Sequence, residues 1–294
     1  MFRSLASLAA LLVVASLPAA ASAQACCAAT GLVIPARLRV YEDWAAGFQA
    51  RVRSTYGNFS ATGDFATVAD GDLLTEQDLF VMARPLPRLQ AALLVPFVQT
   101  YRRVPGQSEW GGFFGDIAAS FRYELLRTGD FRRGPAVTLL AALSAPTGRA
   151  PDQAKNTLGT DAAGTGSFEA TFGIEIEQLF TRWFLSLDAW VMQRTSRDAP
   201  GGRQSFAPRL TALLAAGYAF ESEVAVGVFA SASRQADRTS TGATGIAIAT
   251  AGVAVLFPVD QTWRLQAASS LDTPVWGRNQ PTTVGFSTAL LRVW

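Results

Sequence analysis

Even-numbered positions from Trp44 to Tyr56 read Trp, Ala, Phe, Ala, Val, Ser, Tyr, while the odd positions between them include Gly47, Gln49, Arg51, Arg53 and Thr55. Alternation of this kind has a period of two, which gives an extended strand one apolar face and one polar face. The pattern returns where Phe168, Ala170, Phe172, Ile174 and Ile176 alternate with Glu169, Thr171, Gly173, Glu175 and Glu177. A helix would scatter those glutamates around its circumference. Similar two-sided runs lie near 75–83, 89–101, 115–124, 135–144, 183–194, 208–218, 224–234, 245–256, 263–270 and 284–294. Together they predict about twelve strands of roughly 8–14 residues, the length that crosses a bilayer at a tilt.

The links between these runs alternate in length. Residues 84–88, 178–182, 219–223 and 257–262 are tight and 125–134 is moderate, whereas 57–74, 102–114, 145–166, 195–207, 235–244 and 271–283 are longer and rich in Gly, Pro, Asp, Thr and Arg. This predicts an all-β chain forming a single antiparallel up-and-down transmembrane β-barrel, with short periplasmic turns and long extracellular loops. Trp44, Tyr123, Trp183, Tyr218, Trp263 and Trp294 all fall at strand ends on the short-turn side. Amphipathic rings form a periplasmic girdle at that level. Ordinary core aromatics at strand ends are the plainer reading, and their gathering on one side argues against it.

The last run, "TVGFSTALLRVW", stops on Trp294 with no polar tail. Chain ends ordinarily fray into solvent. The expected reason is closure: the last strand pairs with the first, because unpaired backbone groups in hydrocarbon cost several kcal/mol each. Phe286 and Leu290 then face lipid, and Arg292 lies close enough to the interface to snorkel.

Composition sharpens this picture. Hydrophobic residues make up 49% of the chain, charged residues 16%, and mean hydropathy is +0.20. No run of 18 apolar residues follows residue 23, so no spanning helix is expected there. The first residues combine Arg3, an apolar run from Leu5 to Leu17 and the small exit Ala21-Ser22-Ala23, which predicts a signal peptide over 1–23, cleaved after Ala23. An uncleaved anchor is the alternative, and lipidation at Cys26 fits poorly with Ala23-Gln24-Ala25 before it. Residues 24–42 are read as a periplasmic segment or a lumen plug, and 43–294 as the barrel. Without Arg3 the chain has 24 basic and 23 acidic residues, which suggests no nucleic-acid partner. Lys155 is the only lysine, a compositional bias. Cys26 and Cys27 are adjacent and cannot link distant parts of the fold to each other; a vicinal disulfide, a link to another chain and two plain thiols all stay open.

The candidate chemistry is mostly exclusion. There is no histidine, so Ser/His lipases and acyl transferases lack their base and zinc lacks its commonest ligand. Glu169, Glu175 and Glu177 share one strand face and could act as acid and base or bind calcium, but lumen-lining charges facing arginines are the favoured reading. "GTG" at 164–166 lacks the strand–helix setting of a phosphate loop. No catalytic residue, metal site or cofactor is expected. By parity the lumen wall includes Gln49, Arg51, Arg53, Asp78, Asp116, Arg122, Glu169, Glu175, Glu177, Arg264 and Gln266. About twelve strands leave a narrow passage, and the row Arg51/Arg53/Arg122 is expected to face Glu169/Glu175/Glu177 across a constriction. The function expected is passage of small solutes. A structural or surface-display barrel with residues 24–42 plugging the lumen and partner-binding loops is the alternative, and a soluble secreted β-sandwich is a third reading.

The final strand resembles the assembly signal of Gram-negative outer-membrane barrels. "VPF" at 95–97, "GDIAASFRYEL" at 115–125, and "SAPTG" at 144–148 leading to "GTG" at 164–166 are similar to the outer-membrane family associated with the meta-cleavage pathway of phenol degradation. That resemblance implies a channel or transporter for small, often aromatic or apolar, molecules. It also implies a place in the cell outer membrane, with membrane lipid and the barrel assembly machinery, engaged through the C-terminal strand, as partners. Residues 24–42 have no counterpart in it.

Overall fold

The computed structural model describes residues 37–39, 41–60, 64–67, 71–127, 134–200, 202–235, 246–276 and 280–294. In chain order its strands are β1 (Trp44–Phe59), β2 (Phe65–Thr67), β3 (Leu73–Leu86), β4 (Leu89–Val104), β5 (Gln107–Phe114), β6 (Ile117–Leu126), β7 (Ala136–Ala145) and β8 (Glu169–Leu179). There follow β9 (Trp183–Arg194), β10 (Arg197–Ala199), β11 (Gly202–Gln204), β12 (Arg209–Ala219), β13 (Ala225–Gln235), β14 (Ile246–Pro258), β15 (Trp263–Trp276) and β16 (Gln280–Val293). No described helix is long and apolar enough to cross a membrane. The crossing is made by strands.

β16 pairs antiparallel with β15 and also with β1, in a register running from Ala45 opposite Val293 to Phe59 opposite Gln280. The sheet therefore closes into a twelve-stranded antiparallel barrel without a free edge. β5 and β6 count as one wall strand: both pair with β4, the first along Phe97–Val104 and the second along Leu89–Leu94, with a break at Gly115–Asp116. β2 extends the outer end of β1, and β10 with β11 makes a small separate ribbon.

Period-two patterning sets which face each side chain takes. Phe48, Val52, Leu79, Phe172, Leu214 and Phe286 point outward and are exposed, while Gln49, Asp78, Arg122, Glu175 and Arg264 on alternate positions are buried inside. A soluble domain would have the reverse arrangement. The short-turn half of the interior is filled. Leu38, Ala45, Phe80, Met82, Leu291 and Val293 form one apolar cluster and Phe184, Leu213, Ala215, Ala219, Ala225 and Leu256 a second. Two of the rings lie over glycines directly opposite them: Phe80 over Gly47 and Phe184 over Gly217. A Cβ on either glycine would collide with the ring, so the bare backbone is what lets a phenyl group lie flat against the wall.

Two expected outer loops are corrected. Residues 102–114 are strand: β4 runs to Val104, turns tightly at Pro105-Gly106 and returns as β5. Gly106 takes φ +82, which suits Gly after Pro in a two-residue turn. Likewise 271–283 is mostly strand, since β15 continues to Trp276 and β16 begins at Gln280. Beyond the hydrocarbon both strand faces meet water, so the apolar alternation that betrays a strand fades while its hydrogen bonding continues. The expected signal peptide, Cys26 and Cys27, residues 24–36, and most of the 235–244 link lie outside the described residues.

Candidate functional site

The interior has two levels. At the short-turn end, the segment preceding β1 enters the lumen. Leu38 is 2% exposed; its N–H donates to Gln90 Oε1 (3.0 Å) and its carbonyl accepts from Arg84 Nη2 (3.0 Å). Arg84 Nη2 also donates to the Arg39 carbonyl at 2.8 Å. Arg37 Nη1 reaches Glu177 at 3.1 Å and Glu175 at 3.7 Å, and its Nη2 lies 3.8 Å from Glu124. Glu42, 3% exposed, is paired to Arg264 on β15 and accepts the Arg39 N–H at 2.7 Å. Buried acids require such partners, because an unpaired charge away from water is strongly disfavoured.

Of the predicted wall residues, Arg122, Glu175, Glu177 and Arg264 belong to this lower level, and the Arg122 guanidinium pairs with the Glu175 carboxylate from β6 to β8. Arg51, Arg53, Asp116 and Glu169 line an upper chamber of about 390 Å³, together with Trp190, Met192, Arg194 and Arg209. Asp78 lies beneath it, accepting from Arg51 at 2.7 Å. The expected meeting of two rows therefore occurs only at Arg122–Glu175. Arg51 and Arg53 are engaged by Glu76 on the adjacent β3, at 2.7 and 3.9 Å, and Glu169 by Arg194 on β9, at 2.8 Å. Register decides this: Arg51 stands directly opposite Glu76, and Glu169 opposite Arg194.

Asp116 has a different occupation from a bare wall charge. Sitting at the β5–β6 break, it accepts from the N–H of Gly148 (2.9 Å) and from the N–H and hydroxyl of Thr165 (2.6 and 2.8 Å), anchoring both ends of the long link between β7 and β8. Glu109 accepts from the N–H groups of Thr157 (3.2 Å) and Leu158 (2.8 Å) and holds the link's middle. Within the link, partial desolvation works against ionisation of Asp161. The N–H groups of Lys155 and Asn156 and the paired Arg149 guanidinium outweigh it and hold the carboxyl at about 2. Glu124, Asp188, Arg194 and Arg209 are further wall residues, absent from the expected set although strand parity places them inward, and Arg84 is absent from it because β3 runs past the expected end at 83. The engagement of Arg37 and Glu42, which precede β1, had no periodic signal.

The six expected girdle residues lie at the short-turn end. Trp44 and Trp294 exchange backbone hydrogen bonds, and the Trp183 and Tyr218 rings, directly opposed across β9 and β12, meet edge to face at 4.9 Å. The Arg292 guanidinium stacks 5.8 Å from the Trp263 ring and 5.0 Å from the Trp294 ring. A second set of exposed rings, including Trp110, Phe114 and Phe168, marks the opposite end. Among the described residues no group of three or more acids or cysteines is placed to hold a metal ion.

Residues 50–290 match the family model described as "Putative MetA-pathway of phenol degradation". Among solved structures, an outer membrane channel from Pseudomonas putida F1 superposes with a TM-score of 0.70 at 13% identity, covering 88% of this chain and 97% of that one. The β domain of the Bordetella autotransporter BrkA reaches 0.51 at 15% identity, with 85% and 100% covered. The translocator domain of the autotransporter NalP from Neisseria meningitidis reaches 0.51 at 11%, with 85% and 88% covered. At these identities the likeness is one of fold. No curated protein matches the sequence.

Proposed function

The chain belongs to the family described by the MetA pathway of phenol degradation, and from that premise we propose that it is an outer-membrane channel that passes small solutes through its lumen. The observation that carries the reading is the inside-out barrel with an upper chamber lined by Arg, Glu, Ser and Thr. Chambers of mixed charge select by size and by the placement of charge more than by net charge. The solved outer membrane channel of Pseudomonas putida F1, similar in fold, fits this reading. We read the protein as a passage with no reaction of its own, since the wall acids Glu76, Glu175, Glu169 and Asp116 are engaged by arginines and backbone N–H groups. The chain reaches the outer membrane after cleavage behind Ala23, and the barrel assembly machinery engages its last strand. Arg51, Arg53, Asp78, Asp116, Arg122, Glu169, Glu175, Glu177 and Arg264 shape the path, and Trp44, Tyr123, Trp183, Tyr218, Trp263 and Trp294 seat the periplasmic rim.

A second reading has its own observation. Arg37, Leu38 and Glu42 occupy the lumen's lower end, which favours residues 24–42 as a plug. One experiment addresses both readings: planar-bilayer conductance and liposome swelling with the full chain and with 24–42 deleted. A small conductance that rises on deletion is the result expected of a gated channel. A barrel that stays closed to ions and sugars in both forms is a structural one, and the channel reading is then abandoned.

A further inference from the structure

Arg209 differs from the other chamber arginines. Arg51 and Arg53 are engaged by Glu76, and Arg194 by Glu169. Arg209, on β12, has no carboxylate within salt-bridge distance among the described residues; its one hydrogen bond runs to the Gln235 carboxamide oxygen at 3.4 Å. A guanidinium with five donors so weakly used, beside the like-charged Arg194, presents most of its hydrogen-bonding capacity to whatever enters the chamber.

Beside and below the cation, next to the hydrogen-bonded hydroxyls of Thr211 and Ser233, the wall offers apolar groups. Met192 stands directly opposite Arg209 on β9, and Trp190 stands directly opposite Thr211, two residues further down the same inward face. Ile248 of β14 also lines the chamber at this height. The far side of Trp190 is set by Gly173, its cross-strand neighbour on β8, where a Cβ would press on the tryptophan's own Cβ. Trp190 also rests on the apolar cluster containing Phe184 and Leu213, which fixes the indole as a platform. A fixed ring, a thioether and an isoleucine beneath a cation recognise one shape: a flat apolar body carrying one negative group.

We propose that Arg209, with Trp190, Met192 and Ile248, forms a subsite for small monocarboxylates bearing a ring-sized apolar body. The carboxylate takes the open guanidinium donors, and the ring lies against Trp190. The inference deepens the channel reading and rests on it for its biological meaning, while binding itself is measurable whether or not solutes pass.

The test is calorimetric titration of the detergent-solubilised full chain with benzoate, benzyl alcohol and acetate, alongside liposome swelling. Benzoate is expected to bind roughly tenfold or more tightly than benzyl alcohol, which lacks the charge, or acetate, which lacks the ring. Arg209→Gln is expected to lower benzoate affinity by about the same factor. Gln235→Glu keeps the side chain's size and gives Arg209 a carboxylate of its own, at the loss of the Gln235 Nε2 hydrogen bond to the Ala207 carbonyl (3.0 Å). It is expected to do likewise, and gel migration with and without heating confirms that both variants fold. Benzoate binding that is absent, that survives either substitution, or that does not exceed the benzyl alcohol value overturns the subsite even where swelling shows an open pore. Benzoate binding lost in both variants upholds it even where no solute passes.

Discussion

Trp44 and Trp294 form a reciprocal backbone pair: the Trp294 N–H donates to the Trp44 carbonyl at 2.9 Å and the Trp44 N–H donates to the Trp294 carbonyl at 3.3 Å. This pair begins the seam between β1 and β16, and it accounts for a strand that ends on a tryptophan. The next positions along the seam, Ala45 and Val293, are opposed across it, both facing inward and buried.

In an antiparallel ladder, the positions beside a doubly hydrogen-bonded pair have their Cα atoms about 4.5 Å apart, close enough for a disulfide. The variant Ala45→Cys with Val293→Cys is therefore expected to oxidise to an intramolecular cross-link that resists heat-induced opening of the barrel on a gel. If the two thiols stay free in the folded protein, the seam is placed wrongly. Removing residues 285–294 is expected to leave no heat-modifiable form at all, because β1 would then keep an unpaired edge in lipid.

Phe184 and Gly217 lead to a packing prediction. Gly217→Ala is expected to lower unfolding stability in detergent by about 1–3 kcal/mol, the usual cost of overpacking, as the Phe184 ring is pushed off the wall. Adding Phe184→Leu to Gly217→Ala should recover part of the loss. Denaturant unfolding followed by tryptophan fluorescence reads both; an unchanged midpoint for Gly217→Ala contradicts the close approach.

Arg122 and Glu175 are each 3% exposed, so neither can lean on water if its partner is removed. Arg122→Ala is expected to destabilise the barrel by about 3–5 kcal/mol, whereas replacing both partners by apolar residues of similar volume, Arg122→Met with Glu175→Leu, is expected to cost much less. Equal losses in the single and double variants would show that the pair is not coupled.

The link between β7 and β8 carries a pH dependence. The carboxyl of Asp161 is held at about 2 in the folded chain, below the value of 3.8 it takes when free. A group whose folded pKa is depressed adds stability that is complete above its unfolded pKa and is lost as pH falls towards the folded one. The link should therefore resist pepsin near pH 4.5 and become nicked between residues 150 and 165 as pH falls towards 2. Asp161→Asn should be nicked at both values, as peptide mapping would reveal.

Much of the fold was legible in the alternation of Phe48 with Gln49 or Ile174 with Glu175, because a strand buried between lipid and a lumen shows the period-two signal undiluted. The outer ends of β4, β5, β15 and β16 were not legible, since strands that leave the hydrocarbon keep their ladder and lose their apolar face. The candidate site was half legible. Parity placed Arg51, Arg122 and Glu175 on the wall, yet the pairing of Arg51 with Glu76 depends on how far β3 is shifted along β1, and no pattern within one strand records that shift.

By itself the sequence determined which side chains face outward and how many strands cross, because both follow from local alternation and from the spacing of turns. The tertiary structure alone decided which acid meets which arginine, that Arg37, Leu38 and Glu42 reach into the lumen, and that Arg209 has no carboxylate within salt-bridge distance among the described residues. Those depend on the stagger between neighbouring strands and on contacts between residues as far apart as Glu42 and Arg264, which only the closed barrel brings together.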